Sequence, residues 1–81
     1  MSELEDGKAK FLEIVKSLDS SVTVVIPTAA TNALFLISLA KGIHKKFITV
    51  SEDDLMDLAS DPDILDDVKD LVTEALSKIP S

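Results

Sequence analysis

Residues 20–40 read SSVTVVIPTAATNALFLISLA and hold no charged side chain. Asp19 stands before this run and Lys41 closes it. Such a run must be buried, either across a bilayer or in a small core. It is long enough to span a membrane, with Lys41, Lys45 and Lys46 marking the cytoplasmic side. Pro27 splits it, however, and Thr23, Thr28, Thr31 and Asn32 fall near its middle. The amphipathic segments on either side also need an apolar partner, which the run supplies. The expectation is therefore a core and a soluble chain, with no compartment readable.

Within the run, VTVVI at 22–26 is β-branched throughout and reads as a buried strand ended by Pro27. Residues 28–41 are expected to form a helix, with Thr28 as N-cap and Gly42 in the C′ position. Ala30, Ala33, Leu34, Ile37 and Ala40 make one apolar stripe, with Phe35 and Leu39 on the other side. A helix apolar nearly all round is buried between layers, so Leu34, Phe35 and Ile37 are all expected to be packed. The competing expectation exposes Phe35 and Leu39 as a partner or homodimer patch.

Working outward, residues 3–19 read as an amphipathic helix with Phe11, Leu12, Ile14, Val15 and Leu18 near one face. Ser2 is its expected cap, and Gly7 weakens its first turns by about 1 kcal/mol relative to Ala. Residues 47–50, FITV, read as a second short strand. Ser51 then caps a helix through Ala59, with Glu52, Asp53 and Asp54 in its first turn. Pro62 suits the first turn of a last helix that runs to about Lys78 on the stripe Ile64, Val68, Leu71, Val72, Ala75 and Ile79. Pro80 stops it.

The predicted order is α-β-α-β-α-α: an α/β fold, one small domain over residues 1–81, with a central parallel βαβ unit covered by helices. An all-α bundle with extended connectors at 22–27 and 47–50 is the runner-up. Residues 22–50 loosely resemble the first βαβ half of the thioredoxin and glutaredoxin group, in which a strand enters a helix carrying paired cysteines. Ala29-Ala30-Thr31-Asn32 occupies that place here, so the resemblance implies a fold segment and no redox activity.

With 81 residues the chain has room for one core, and burial of only about 60–65% of its unfolded surface implies modest stability. An apolar content of 46% is that of a folded protein. The absence of cysteine excludes disulfides, thiolate zinc sites and CxxC chemistry. MSELEDGKAK at the N-terminus has the pattern of neither a secretory signal nor a transit peptide. The net charge of −7 argues against nucleic acid, since it repels phosphate. Ten of the fifteen acids lie in residues 51–81, while Lys41, His44, Lys45 and Lys46 form a small basic cluster.

Arg, Gln, Tyr, Trp and Cys do not occur in the chain. Arg, Tyr and Trp are the preferred anchors of binding hot spots. So restricted an alphabet also suits a sequence chosen for folding, as in a designed protein.

Three segments could carry chemistry. Residues 27–32 follow a strand and are predicted to open a helix, where Thr28, Thr31 and Asn32 could receive an anion. The glycine fingerprints of phosphate loops are missing, so local capping is the simpler expectation. Asp61, Asp63, Asp66 and Asp67 crowd the start of the last helix without the spacing of a calcium loop, which fits helix-terminal charge. His44, the one side chain expected to titrate near neutral pH, has no assignable catalytic partner.

The sequence therefore predicts no enzyme, no catalytic residues, no cofactor and no metal, with no nucleic-acid or membrane partner. A monomeric folded scaffold, of natural or artificial origin, is the first expectation. A small acidic protein-interaction module is the second.

Overall fold

The computed structural model describes residues 3–79. Its elements are helix α1 (Glu3–Leu18), strands β1 (Thr23–Val25), β2 (Leu34–Lys41) and β3 (His44–Ser51), and helices α2 (Glu52–Asp57) and α3 (Pro62–Ser77). The strands form one antiparallel sheet in the order β1-β2-β3. The protein is thus a mixed α+β fold. The predicted parallel βαβ unit does not form, the all-α alternative fails with it, and the thioredoxin-like segment has no counterpart.

The error lies in residues 28–41, where a strand and a loop replace the predicted helix. Helical spacing groups Leu34 with Ile37, but alternation groups Phe35, Ile37 and Leu39, and it is the alternating set that is buried. Short apolar runs satisfy both periods, and the partner decides between them. Here the partner is β3, joined to β2 by the two-residue turn Gly42-Ile43 and paired in register from Lys41↔His44 to Leu34↔Ser51. Gly42 has φ +62°, as the first central position of a type II′ hairpin turn requires. A helix C′ position demands the same sign of φ. Gly42 therefore signals a reversal of the chain without saying which kind.

Residues 26–33 connect β1 to β2 and end in a tight reversal. Thr31 and Leu34 exchange two backbone hydrogen bonds of 2.9 and 3.0 Å. Asn32 and Ala33 between them both have positive φ, 53° and 61°, the type I′ geometry. The Glu52 N–H donates to the Ala33 carbonyl at 2.8 Å, tying this turn to the start of α2.

The other three predicted helices form, within a residue or two at their ends, as α1, α2 and α3. Ser51 caps α2 by accepting from the Asp54 N–H at 3.1 Å. Asp61 caps α3, its Oδ1 accepting from the Asp63 N–H at 2.9 Å, and Pro62 occupies the first turn. The expectations for Ser2 and Pro80 lie outside the described residues.

All three helices cover one face of the sheet. Phe35, Ile37 and Leu39 of β2 and Ile48 and Val50 of β3 pack there. Phe11, Ile14 and Val15 of α1 join them, with Leu55 of α2, Val68 and Val72 of α3, and Leu58 just beyond α2. Phe35 and Leu39 are 0% exposed, so they are core and not the exposed patch considered above. Leu34 was expected in the core, but its strand position turns it outward and it is 45% exposed.

Candidate interaction surface

A strand sends alternate side chains to opposite faces, so a three-stranded sheet covered on one side leaves a second face. On β2 that face carries Leu34, Leu36, Ser38 and Ala40. The register sets Ser38 between Val25 and Phe47, Leu36 beside Thr49, and Ala40 between Thr23 and Lys45. Val25, Leu36 and Phe47 are 59%, 54% and 53% exposed, so no described element covers them. The loop flanks this face: Pro27, Ala29 and Thr31 bound a depression of about 360 Å³ with Leu34, Leu36 and Thr49.

Solvated antiparallel sheets ordinarily alternate apolar with polar residues. Here the outward positions of the central strand are Leu, Leu, Ser and Ala. At the middle of the face Ser38 is 8% exposed, and its Oγ has no hydrogen-bond partner among the described residues. A buried unpaired hydroxyl costs about 1–3 kcal/mol.

Charge is sorted along the strands. Residues 20–51 contain three Lys and His44 and no Asp or Glu. The cations gather at the hairpin end, where Lys45 Nζ lies 6.0 Å from the centre of the Phe47 ring. Ile43, at the tip, is almost fully exposed. Glu52, Asp53 and Asp54 follow directly on the opposite end of β3. The open face therefore has an apolar middle with a basic and an acidic end. Sequence reasoning missed it by reading 28–41 as a buried helix, which put Leu34 in the core and left Leu36 unassigned. The parity of Phe35, Ile37 and Leu39 was the signal that would have turned Leu34 and Leu36 outward.

The segments singled out from sequence do not converge. Thr28, Thr31 and Asn32 lie in a strand connection, so no helix N-terminus stands behind them. Asp61 is occupied as a cap, while Asp66 and Asp67 line different grooves. His44 begins β3, exposed at the hairpin end, and not in a loop. Among the described residues no three His, Asp or Glu side chains are grouped to hold a metal ion. No described helix is long and apolar enough to cross a membrane.

The perturbed acid is Asp19, which lies away from the open face. The Lys41 ammonium donates to its Oδ2 at 2.8 Å, and the Ser21 hydroxyl and N–H donate to its Oδ1 at 2.6 and 3.0 Å. These bonds favour the carboxylate and lower its pKa to about 2. The contact fastens the end of α1 to the end of β2.

Comparison of the chain with protein-family models, curated proteins and solved structures finds no match.

Proposed function

We propose that this chain is a protein-interaction module whose contact surface is the open sheet face, and that the surface docks on a second copy of itself. The observation that carries this is the uncovered apolar row formed by Val25, Leu36 and Phe47 with Leu34 beside it. Their exposures amount to on the order of 400 Å² of apolar side chain, the size of patch that marks an interaction site. Two such faces with their threonine and proline rims approach the roughly 1,000 Å² at which a specific interface begins.

Charge favours a second copy stacked with its strands running the opposite way. That arrangement sets Lys45 of each chain over Glu52 and Asp53 of the other, and the two-fold axis makes the pairing occur twice. A parallel stack would instead set like charges together.

Sedimentation equilibrium tests this. The parent should dimerise, and Leu36→Asp should be monomeric while keeping its fold, because the side chain is already half exposed. Lys45→Glu should weaken the dimer, and adding Asp53→Lys should restore it. A parent that stays monomeric to millimolar concentration would overturn the proposal and favour the inert scaffold.

A further inference from the structure

The other open feature of the sheet is its edge. β3 is the outermost strand and pairs with β2 on one side alone. The type II′ turn makes Lys41↔His44 a hydrogen-bonded pair. Alternation along the ladder then turns His44, Lys46, Ile48 and Val50 toward β2, while Lys45, Phe47 and Thr49 direct their N–H and C=O groups out of the sheet. An eight-residue edge with free backbone groups is a template for another strand.

α3 runs beside this edge in the opposite direction. At one end Lys46 and Lys78 line the space between strand and helix, with Phe47, Leu71 and Ala75 further in, around a cavity of about 280 Å³. Thr49 and Leu71 also border the next cavity, of about 110 Å³, which reaches Val68 and ends at Asp54 and Asp67. The two lie end to end between β3 and α3, sharing Thr49 and Leu71, and together outline a groove. It has an apolar floor, two lysines at the hairpin end and two aspartates at the other. Glu74 lies at the lysine end, where it accepts from Lys78 Nζ at 3.3 Å; Lys46 has no ion pair among the described residues.

We propose that this groove binds an extended peptide, which adds as a fourth strand antiparallel to β3. The acidic or free carboxyl end of the peptide lies beside Lys46 and Lys78, and its basic end lies beside Asp54 and Asp67. The edge amides supply main-chain hydrogen bonds, and the half-exposed Leu71, with the buried Val68 and Ala75 beneath it, receives the side chains that face α3. From Lys46 to Ser51 the edge takes about six residues over about 20 Å. The charged ends fix direction more than they add affinity. The site borders the open face at Phe47 and Thr49 but lies on the α3 side of β3, and it does not depend on the self-association proposed above.

The test uses two labelled synthetic peptides titrated to 1 mM. One is RTVTVTVE with a free carboxyl terminus, and the other is ETVTVTVR, amidated. The first should bind saturably, with amide shifts at Lys45, Phe47 and Thr49, and at least about fivefold tighter than the second. Methylating the peptide nitrogens that face β3 should abolish binding without touching the protein. Lys46→Glu with Lys78→Glu, both at exposed or half-exposed positions, should invert the preference. Binding should persist in Leu36→Asp, so a failed groove and a failed open face give different results. No saturable binding, equal binding of both peptides, or equal binding of the methylated one would each overturn the proposal. So would concentration-dependent protection of the edge amides without peptide, because a second copy would then occupy the edge.

Discussion

Gly7 of α1 faces the backbone of Leu55 in α2, and the two helices touch there through main-chain atoms. A Cβ built on Gly7 would overlap the Leu55 carbonyl oxygen and stand 2.7 Å from its carbonyl carbon. Read from the sequence, Gly7 is a flaw in a helix. In the fold it is what lets α2 lie against α1 and brings Leu55 to 0% exposure. Gly7→Ala gains about 1 kcal/mol of helix propensity. It loses more, because a backbone carbonyl can move aside only if α2 moves, and overpacking of this kind costs about 1–3 kcal/mol or more. A net loss of stability is expected in chemical denaturation. A stabilised variant would show that propensity decides at this position.

The contact between Asp19 and Lys41 predicts a pH dependence of defined sign. The folded carboxyl titrates at about 2, below its ordinary 3.8. A lowered folded-state pKa contributes stability that is fully present above the unfolded value and is lost as the pH falls through the folded one. Asp19→Asn should therefore be less sensitive to acid between pH 4 and 2 than the parent. Lys41→Met should remove most of the same dependence, since the ammonium is the first cause of the shift. The pair is partly exposed, so added salt should weaken its contribution. Parallel acid limbs for parent and Asp19→Asn would rule the contact out as a source of stability.

The turn at Asn32-Ala33 predicts a gain. Asn tolerates left-handed φ, but Ala pays a steric cost of about 1–2 kcal/mol there. Ala33→Gly removes that cost and loses about 0.5–1 kcal/mol of backbone entropy. The balance should be a stabilisation of about 0.5 kcal/mol, with the Glu52-to-Ala33 backbone bond retained. Ala30→Gly, at a position without positive φ, should give no such gain. A lower denaturation midpoint for Ala33→Gly would contradict the assigned strain.

The helices were legible because capping and periodicity agree within each of them. Ser51 with Glu52, Asp53 and Asp54, and Asp61 with Pro62, are local signals that no distant partner overrides. β1 was legible as a strand from its β-branched run, but it is an edge strand of three residues with Thr23 and Val25 exposed, not the buried strand expected over 22–26. β2 was not legible, because its core face consists of only Phe35, Ile37 and Leu39, and three residues cannot separate a period of 2 from one of 3.6 when Leu34 and Leu36 are apolar as well. What settles β2 is pairing with β3 across Gly42-Ile43, a tertiary fact. Mistaking this strand hid the open face too, since Leu34 and Leu36 are surface residues only if 34–41 is a strand. The β3 groove could not be inferred from sequence, since it exists only where α3 returns along the sheet edge.

Neighbouring residues on β2 provide the sharpest check of the strand. Phe35 is 0% exposed, with Lys8 Nζ 5.4 Å from its ring centre, while Leu34 and Leu36 lie about half in solvent. Phe35→Ala removes a fully buried aromatic and should cost about 3–5 kcal/mol, a large share of a small domain's stability. Leu34→Ala leaves no enclosed cavity and should cost about 1 kcal/mol or less. A helix over the same residues would bury Leu34 with Ile37 and give a large loss for Leu34→Ala. Denaturation of Leu34→Ala, Phe35→Ala, Leu36→Ala and Ile37→Ala at a concentration where the chain is monomeric reads the pattern directly. Alternating small and large losses establish the strand and its inward face. Large losses at Leu34 and Ile37 together would return 28–41 to a helix and remove the open face with it.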